Sequence, residues 1–159
     1  MDGFERFLGL LDYPVYVVTA ASDGERAGCL VGFAGQTSID PARFMVWISK
    51  ANHTHRVALR SPVLAVHLLP TDRRLAELFG ALTGDEVDKF AAVRWEPGPH
   101  GVPLLDDVPA RFTGRVLDRV DGGDHTGFLL SPLSAHVPDP AAASLTLKGA
   151  SDIEAGHPA

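Results

Sequence analysis

The sequence is poor in cysteine, and Cys29 is its single thiol. One cysteine cannot close an intrachain disulfide or build a cysteine-based zinc cage. No apolar run approaches the roughly 20 residues that a membrane-spanning helix requires. The first residues also lack the basic stretch and the small-residue cleavage site of a secretory signal. Together these absences predict a cytoplasmic protein that does not associate with a membrane.

Basic charge is also scarce. The 14 lysines and arginines face 20 acidic residues, so the net charge is −6 and the pI is about 5.5. This balance disfavours nucleic acid and anionic membrane surfaces as partners, whereas a local basic pocket still permits a small anionic ligand. With 159 residues, 45% of them apolar and 21% charged, the chain is predicted to fold as one domain with a full core.

Several catalytic signatures are absent as well. The sequence has no GxGxxG after a predicted strand, no GxxxxGK[ST], no HExxH and no GxSxG. It therefore gives no support to Rossmann dinucleotide binding, P-loop hydrolysis or zinc proteolysis. His53 and His55 stand two residues apart in a predicted helix, where their side chains point away from each other. We expect no metal site.

The apolar residues that are present predict short strands with a few short helices between them. Strands do not alternate with long helices, which disfavours a doubly wound parallel sheet. The pattern predicts a mainly β fold with helical insertions, closed as an antiparallel β-barrel that has no free edges. One hairpin is predicted from Val15–Thr19 and Ala27–Phe33, and buried strands are predicted at Phe44–Ile48 and Val63–Leu69. The arginines of Arg111–Val120 repeat at helical spacing, but its β-branched residues and the turn before His125–Val137 favour a second, long hairpin.

The predicted elements all fall within residues 1–137, which we expect to form the domain. Within it, Pro97–Pro109 is dense in glycine and proline and is predicted to be a loop. After Val137 the chain is rich in proline, alanine and serine and has few apolar anchors. Residues 138–159 are therefore predicted to be a mobile tail.

Three stretches have patterns typical of ligand binding, each with a structural alternative. Ser49–Thr54 is a polar turn that enters a helix, where free N–H groups and a lysine favour a phosphate, or where ordinary helix capping suffices. Gly28, Gly32 and Gly35 indicate either the close approach of a flat ligand or the curvature of a barrel. His125 follows a Gly-Gly turn, where it either meets a ligand or bonds a local carbonyl.

Other conspicuous residues have plainer interpretations. Trp47 and Trp95 are interpreted as core or interface packing rather than as ligand-stacking rings. His67 lies in an apolar strand and is interpreted as a core histidine with satisfied hydrogen bonds. Nothing in the sequence near Cys29 indicates a lowered thiol pKa, so we interpret it as a small buried apolar residue.

The order of the ligand-binding stretches resembles that of the flavin reductase-like family from about Leu11 to Val137. The family has a glycine-led strand, a Ser-x-Asp-Pro corner, a polar phosphate turn, an Asp-Lys-Phe segment and a Gly-Asp-His-Thr hairpin. The matching segments here, in the same order, are Gly28–Gly35, Ser38–Pro41, Ser49–Thr54, Asp88–Phe90 and Gly123–Thr126.

The resemblance implies a homodimeric split barrel that binds FMN, less often FAD, near the subunit interface. Such proteins pass a hydride from NADH or NADPH to the flavin, and the reduced flavin would serve a partner monooxygenase. The alternative is an FMN-binding or electron-transfer protein without NAD(P)H reductase activity. A third hypothesis is a barrel that holds haem or another planar cofactor, with His53, His55 and His125 as candidate ligands.

The resemblance also assigns site residues. The phosphate and ribityl end of the flavin falls to Ser49, Lys50, Asn52 and Thr54. The isoalloxazine would face Leu30, Val31, Gly32, Gln36, Thr37 and Ser38, with Lys89 and Phe90 close by. His125 would lie on the nicotinamide side as the catalytic residue. The family usually has threonine and serine where this chain has Leu30, Gly32 and Phe33, and a second proline where it has Ala42, so we expect backbone contacts to the ring.

Overall fold

The computed structural model describes residues 2–81 and 88–153. The strands in these ranges are β1 (Tyr16–Ser22), β2 (Glu25–Val31), β3 (Ala34–Ser38), β4 (Arg43–Ser49), β5 (Val63–Leu68), β6 (Trp95–Pro97), β7 (Pro103–Leu105), β8 (Arg111–Asp121) and β9 (His125–His136). The α-helices are α1 (Asp2–Gly9), α2 (His53–Ala58), α3 (Arg74–Ala81) and α4 (Leu147–Ala150). Short 3-10 turns cover Lys89–Ala92 and Pro99–Gly101.

Seven strands form one antiparallel sheet in the order β2-β1-β5-β8-β9-β4-β3. The predicted mainly β, antiparallel fold with short helices is therefore confirmed. The predicted long hairpin is confirmed too, because β8 and β9 pair along their whole length. The hydrogen-bonded order has β2 at one end and β3 at the other. Among the described residues, no ladder joins these two strands into a closed barrel.

The main core lies inside the curve of this sheet. Val18, Ile48, Leu64 and Phe128, from β1, β4, β5 and β9, are fully buried in one cluster. Because strands from both halves of the sheet supply this cluster, the sheet curls around it. Each such side chain contributes roughly 1.5–3 kcal/mol by leaving water.

A second core lies on the outer face of β1. Val15, Leu69, Phe79, Leu105 and Leu145 are buried together there, in contact with α3. This layer fixes the end of α3 beside β2. Within residues 2–81 and 88–153, no helix is long and apolar enough to cross a bilayer.

His67 on β5 is fully buried and has both ring nitrogens paired. Its Nδ1 donates to the Val17 carbonyl at 2.9 Å, and its Nε2 accepts from the Leu105 N–H at 3.0 Å. This arrangement requires the neutral ring, and burial lowers the pKa of His67 to about 4. The interpretation of His67 as a satisfied core histidine is confirmed.

The C-terminal stretch packs on the domain at positions where the sequence predicts a mobile tail. Leu145 and Ala150 are buried, and the Leu145 N–H donates to the Leu69 carbonyl at 2.9 Å. The Leu147 N–H donates to the Tyr13 carbonyl at 2.8 Å. These anchors are spaced too irregularly to produce a strand or long-helix pattern, so the sequence alone does not reveal them. Residues 154–159 of the predicted tail lie outside the described residues.

The stretch predicted as a loop contains part of a small hairpin. Strand β6 pairs with β7, and Pro97 stands opposite Pro103 at the end next to the connecting turn. Short strands that end in proline give no alternating pattern. For that reason the sequence predicts irregular structure there.

Candidate functional site

A groove of about 340 Å³ opens beside the ends of β2 and β4. Its other walls come from the start of β9, the end of α3 and the C-terminal stretch. The lining is mostly apolar, with polar side chains from β4, β9 and the turn before α2. The residues are Val15, Cys29, Leu30, Val31, Gly32, Phe33, Trp47, Ser49, Asn52, Phe79, Gly80, His125, Leu147, Ala150, Ser151 and Ile153.

The structure brings part of the predicted site together in this groove. The predicted residues among its lining are Leu30, Val31, Gly32, Ser49, Asn52 and His125. The predicted residues outside its lining are Gln36, Thr37, Ser38, Lys50, Thr54, Lys89 and Phe90.

The polar turn and the histidine hairpin meet across two neighbouring strands. Ser49 at the end of β4 stands directly opposite His125 at the start of β9. The Lys50 N–H donates to the Asp124 carbonyl at 2.9 Å and fixes the two turns to each other. Sheet pairing thus joins two motifs that are far apart in sequence.

Within the polar turn, Asn52 caps helix α2 and Ser49 stabilises the turn that precedes it. The Ser49 hydroxyl accepts from the Ala51 N–H at 3.2 Å, and the Asn52 Oδ1 accepts from the Thr54 N–H at 2.8 Å. Thr54 is buried behind this cap. The capping alternative therefore holds, and Ser49 and Asn52 also line the groove.

Lys50 is directed to the β8–β9 turn. Its Nζ lies 2.7 Å from Asp121 Oδ1, in a pair whose members are both substantially exposed. The hydrogen bond from Lys50 holds the pKa of Asp121 below its usual value. The ammonium is thus close to the polar end of the groove but bound to a carboxylate.

His125 lies between an aromatic ring and a carboxylate. Its ring centroid is 4.9 Å from that of Phe33. Its Nδ1 donates to Asp124 Oδ1 at 2.7 Å, and this bond lowers the pKa of Asp124. Because Nδ1 is used in this way, Nε2 is the ring nitrogen left for a ligand. A cavity of about 260 Å³ adjoins this point and is lined by Phe33, Trp47, Gly122, Asp124 and His125.

Trp47 lines both the groove and the adjoining cavity. A Cβ on Gly122 or Gly127 would lie 2.5 or 2.7 Å from its Cζ3, so both glycines leave room for the indole. The sequence predicts packing for Trp47 and gives no sign of its place in the groove. Trp47 stands opposite Gly127 on β9, which leaves room for the indole. That pairing depends on the strand register, so the sequence does not show it directly.

The three glycines near β2 serve different purposes. A Cβ on Gly28 would meet the Phe79 ring at 2.9 Å, so Gly28 admits an aromatic side chain of the protein itself. Gly32 lines the groove and has Leu147 as the nearest atom to its Cβ position, at 3.9 Å. Gly35 has open space around it. A flat ligand can therefore approach the backbone at Gly32.

Gln36, Thr37 and Ser38 lie on the edge strand β3, where Gln36 and Thr37 are exposed. Large apolar side chains stand on both sides of them, with Phe33 exposed by 52% and Ile39 by 84%. This strand lies beside the groove residues but does not line the groove.

Lys89 and Phe90 lie behind the groove wall. Phe90 is buried in edge-to-face contact with Phe79 and Trp95. The Lys89 Nζ donates to the carbonyls of Phe79 and Gly28, and burial lowers the pKa of this lysine. Burial raises the pKa of Cys29, in the wall itself, to about 11.

The C-terminal stretch supplies groove residues that sequence reasoning missed, namely Leu147, Ala150, Ser151 and Ile153. Asp12 holds this stretch, since its carboxylate accepts from the Thr146 hydroxyl at 3.1 Å and from the Lys148 N–H at 3.0 Å. In the sequence, only the apolar residues at 145, 147 and 153 indicate that this stretch packs on the domain.

The histidines of the haem hypothesis do not converge. His55 Nε2 is 2.8 Å from the Thr126 hydroxyl, and burial lowers the pKa of His55. His53 contacts Arg56 and Glu25. In the part of the chain that the structure describes, no group of three potential metal ligands occurs.

Comparison with known proteins identifies relatives over most of the chain. Residues 8–151 match the family model described as the flavin reductase like domain. NADH:riboflavin 5'-phosphate oxidoreductase of Streptomyces pristinaespiralis is 31% identical over 144 residues, which are 88% of this chain and 80% of that protein. The reductase component of the flavin-dependent trigonelline monooxygenase of Acinetobacter baylyi is 28% identical over 109 residues, covering 69% of this chain and 34% of that protein.

A solved structure has the same fold. The NADH:FAD oxidoreductase SgcE6 of Streptomyces globisporus C-1027 superposes with a TM-score of 0.83 at 26% sequence identity. The superposition covers 92% of this chain and 88% of that one.

Proposed function

The chain belongs to the flavin reductase-like family, and from that premise we propose that it transfers a hydride from NADH or NADPH to a flavin. FMN is the flavin we expect first, with FAD as the alternative. The observation that carries this function is the pairing of Ser49 with His125. Both residues line one groove, which supports a phosphate turn and a nicotinamide histidine that act on the same bound flavin.

The groove residues fit a flat ring with a polar tail. Leu30 and Val31 give an apolar wall, Gly32 exposes its backbone, and Ser49 and Asn52 supply polar atoms at one end. The volume of about 340 Å³ is within the range of small-molecule sites. A bound flavin supplies the hydride-accepting chemistry, and the protein supplies binding and orientation.

We assign the ring contacts to the backbone of residues 30–32 and the tail contacts to Ser49, Asn52 and Lys50. Exposed ion pairs contribute little, so Lys50 can exchange Asp121 for a ligand phosphate at small cost. Thr54 supports this end from below, because its buried side chain lies under the cap of α2.

His125 orients the nicotinamide. The Asp124 carboxylate fixes the ring through Nδ1, which leaves Nε2 to contact the carboxamide of the hydride donor. Phe33 and Trp47 give this point an apolar surface on the side of the adjoining cavity. No acid–base pair is required, because hydride transfer takes place between the two cofactors.

A second copy of the chain completes the site. The exposed Phe33 and Ile39 flank Gln36, Thr37 and Ser38 on an edge strand. Such a strand normally needs protection. Burial against a second copy would cover the apolar side chains and bring the polar ones to the flavin. The curled sheet with separate β2 and β3 ends supports a split barrel as the subunit fold.

Reduced flavin made in this way would serve a partner monooxygenase, as the name of the Acinetobacter relative suggests. The substitution of Leu30, Gly32 and Phe33 for the usual hydroxyl residues favours a second candidate, a flavin-binding protein with no pyridine nucleotide site.

Steady-state oxidation of NADH and NADPH with added FMN distinguishes the two functions. We expect FMN-dependent oxidation of at least one donor. His125→Ala should raise the Michaelis constant of that donor several-fold and leave the FMN dissociation constant unchanged. Asn52→Ala is the matched variant, since it removes a polar groove residue of the proposed tail-binding turn and should weaken FMN. No FMN-dependent oxidation by the wild-type protein would exclude the reductase.

A further inference from the structure

Lys89 places its ammonium inside the protein. The residue is only 3% exposed, and Nζ donates to the Phe79 carbonyl at 3.1 Å and to the Gly28 carbonyl at 3.3 Å. Both acceptors are neutral. Among the described residues, no carboxylate lies within ion-pair distance of this ammonium. Buried lysines usually have such a partner, so the lysine is exceptional.

The ammonium lies directly behind the groove wall. Phe79, one of its acceptors, lines the groove, and Gly28 precedes the groove residue Cys29. The Phe79 ring also packs where a Cβ on Gly28 would stand, at 2.9 Å. The wall between Lys89 and the groove is therefore one layer of protein. The charge acts on the Cys29 thiol within this layer, where it lowers the thiol pKa against the larger effect of burial.

The carbonyl partners help to keep the proton on the lysine. Their negative ends point at Nζ, and Phe79 belongs to the last turn of α3, where free carbonyls favour a cation. The Phe79 ring adds a further contact, since Nζ is 5.6 Å from its centroid.

Hydride transfer changes the charge of the ligand in the groove. A hydride carries two electrons and one proton, so the flavin gains one negative charge and the nicotinamide becomes a cation. A positive charge surrounded by protein is poorly screened by water and salt. Its field in the groove therefore stabilises the reduced flavin more than the oxidised flavin.

We propose that Lys89 raises the reduction potential of the bound flavin through its charge, acting from behind the wall without touching the flavin. This inference rests on the proposed function for the identity of the ligand. It replaces direct cofactor contact, the role implied by the resemblance, with an electrostatic role. Lys89 therefore acts on the flavin through its electric field and is not a catalytic residue.

The test measures the midpoint potential of bound FMN by equilibration with redox dyes, without NAD(P)H. Lys89→Gln retains hydrogen-bond donors but removes the charge, Lys89→Met removes both, and Lys89→Arg keeps the charge. We expect the two neutral variants to lower the potential by about 30 mV, which is a tenfold change in the ratio of reduced to oxidised flavin affinity. Lys89→Arg should retain the wild-type potential.

Arg26→Gln is the matched control. Its guanidinium is 4.8 Å from the Trp95 ring and 5.9 Å from the Phe90 ring, but the side chain is 41% exposed and does not line the groove. Removing this cation should leave the potential unchanged. Circular dichroism establishes which variants fold, and either neutral variant of Lys89 suffices for the comparison.

Riboflavin lacks the phosphate, so it distinguishes an effect on the flavin ring from an effect on the phosphate tail. The shift should be the same with riboflavin as with FMN. A shift seen with FMN alone, or a wild-type potential in a folded neutral variant, would overturn the inference. A shift in a protein that oxidises neither NADH nor NADPH would support it while refuting the proposed reductase function.

Discussion

Lys50 is a charged residue for which a ligand phosphate can replace the present partner, Asp121. Its ammonium pairs with Asp121 at the surface. A hydrogen bond to a charged group contributes roughly 1.5–3 kcal/mol, so Lys50→Ala should raise the dissociation constant of FMN about tenfold. Riboflavin has no phosphate and should lose much less. Fluorescence titration with both flavins measures the difference.

Asp121→Asn is the control for this prediction. It removes the competing carboxylate and leaves Lys50 in place, so FMN should bind as tightly as before or more tightly. Equal losses for FMN and riboflavin in Lys50→Ala would refute the phosphate assignment.

The buried His67 leads to a separate prediction, which concerns how the free energy of unfolding depends on pH. Its pKa falls from an ordinary 6.5 to about 4 in the folded protein. The unfolded chain therefore binds the proton more readily, and protonation favours unfolding. This contribution is fully present above pH 6.5 and is lost as the pH falls towards 4. It amounts to about 3 kcal/mol, at 1.36 kcal/mol per pH unit.

Urea unfolding at pH 7 and pH 5 tests the His67 prediction. The wild-type protein should lose stability between these pH values, and His67→Gln should lose less because a neutral amide replaces the titrating ring. His136→Gln, at an exposed strand end, should keep the wild-type dependence. An identical pH dependence in His67→Gln would contradict the assignment.

Among the elements, the C-terminal stretch at residues 145–153 is held in part by one carboxylate, beside the backbone hydrogen bonds of Leu145 and Leu147 and the ion pair of Arg73 with Asp152. Asp12 accepts from Thr146 and Lys148, and the hydrogen bond from Lys148 contributes most to lowering the pKa of Asp12. Asp12→Ala should speed amide exchange at Leu147 and weaken FMN binding several-fold, because Leu147 and Ile153 form one wall of the groove. Hydrogen exchange and flavin titration provide the two readouts.

Asp139→Ala is matched to that change. Asp139 accepts from the Ala141 N–H at 2.9 Å in a local turn away from the groove. It should leave both readouts unchanged. Unaltered exchange at Leu147 in Asp12→Ala would show that the stretch does not depend on this carboxylate.

The same elements show what could be predicted from the sequence. The hairpins and buried strands follow from apolar and β-branched residues between turn formers, and the structure contains them. Strand β3 has no alternating apolar pattern, since it reads Ala-Gly-Gln-Thr-Ser, and the tail anchors are sparse. Neither element is recognisable without the tertiary contacts that stabilise it.

The site residues, too, could be predicted only where a local sequence pattern marks them. The polar turn and the histidine hairpin were recognisable from their order along the chain, and their meeting depends on the β4–β9 register. The resemblance places Lys89 close to the isoalloxazine, whereas the end of α3 and β2 enclose its ammonium behind the groove wall. Trp47 lines the groove only because glycines stand opposite it. Such placements arise from packing rather than from local sequence.

For the whole molecule, the proposed homodimer predicts which exposed apolar side chain is buried between the two copies. Ile39, exposed by 84% in the single chain, should be buried by the second copy. Ile39→Asp should shift the protein towards monomer and weaken FMN in parallel, since the site needs both copies. Sedimentation equilibrium measures the first effect. Leu10→Asp, which changes a residue exposed by 80% after α1, is the control, and a monomeric wild-type protein would contradict the dimer.

The central claim is that this groove holds a flavin and presents it to a reduced nicotinamide. The most direct measurement is the visible absorption spectrum of the protein with FMN, before and after anaerobic addition of NADH and then NADPH. We predict that at least one donor bleaches the flavin band much faster than it does in free solution. A perturbed band that neither donor bleaches would contradict the reductase and leave a flavin-binding protein.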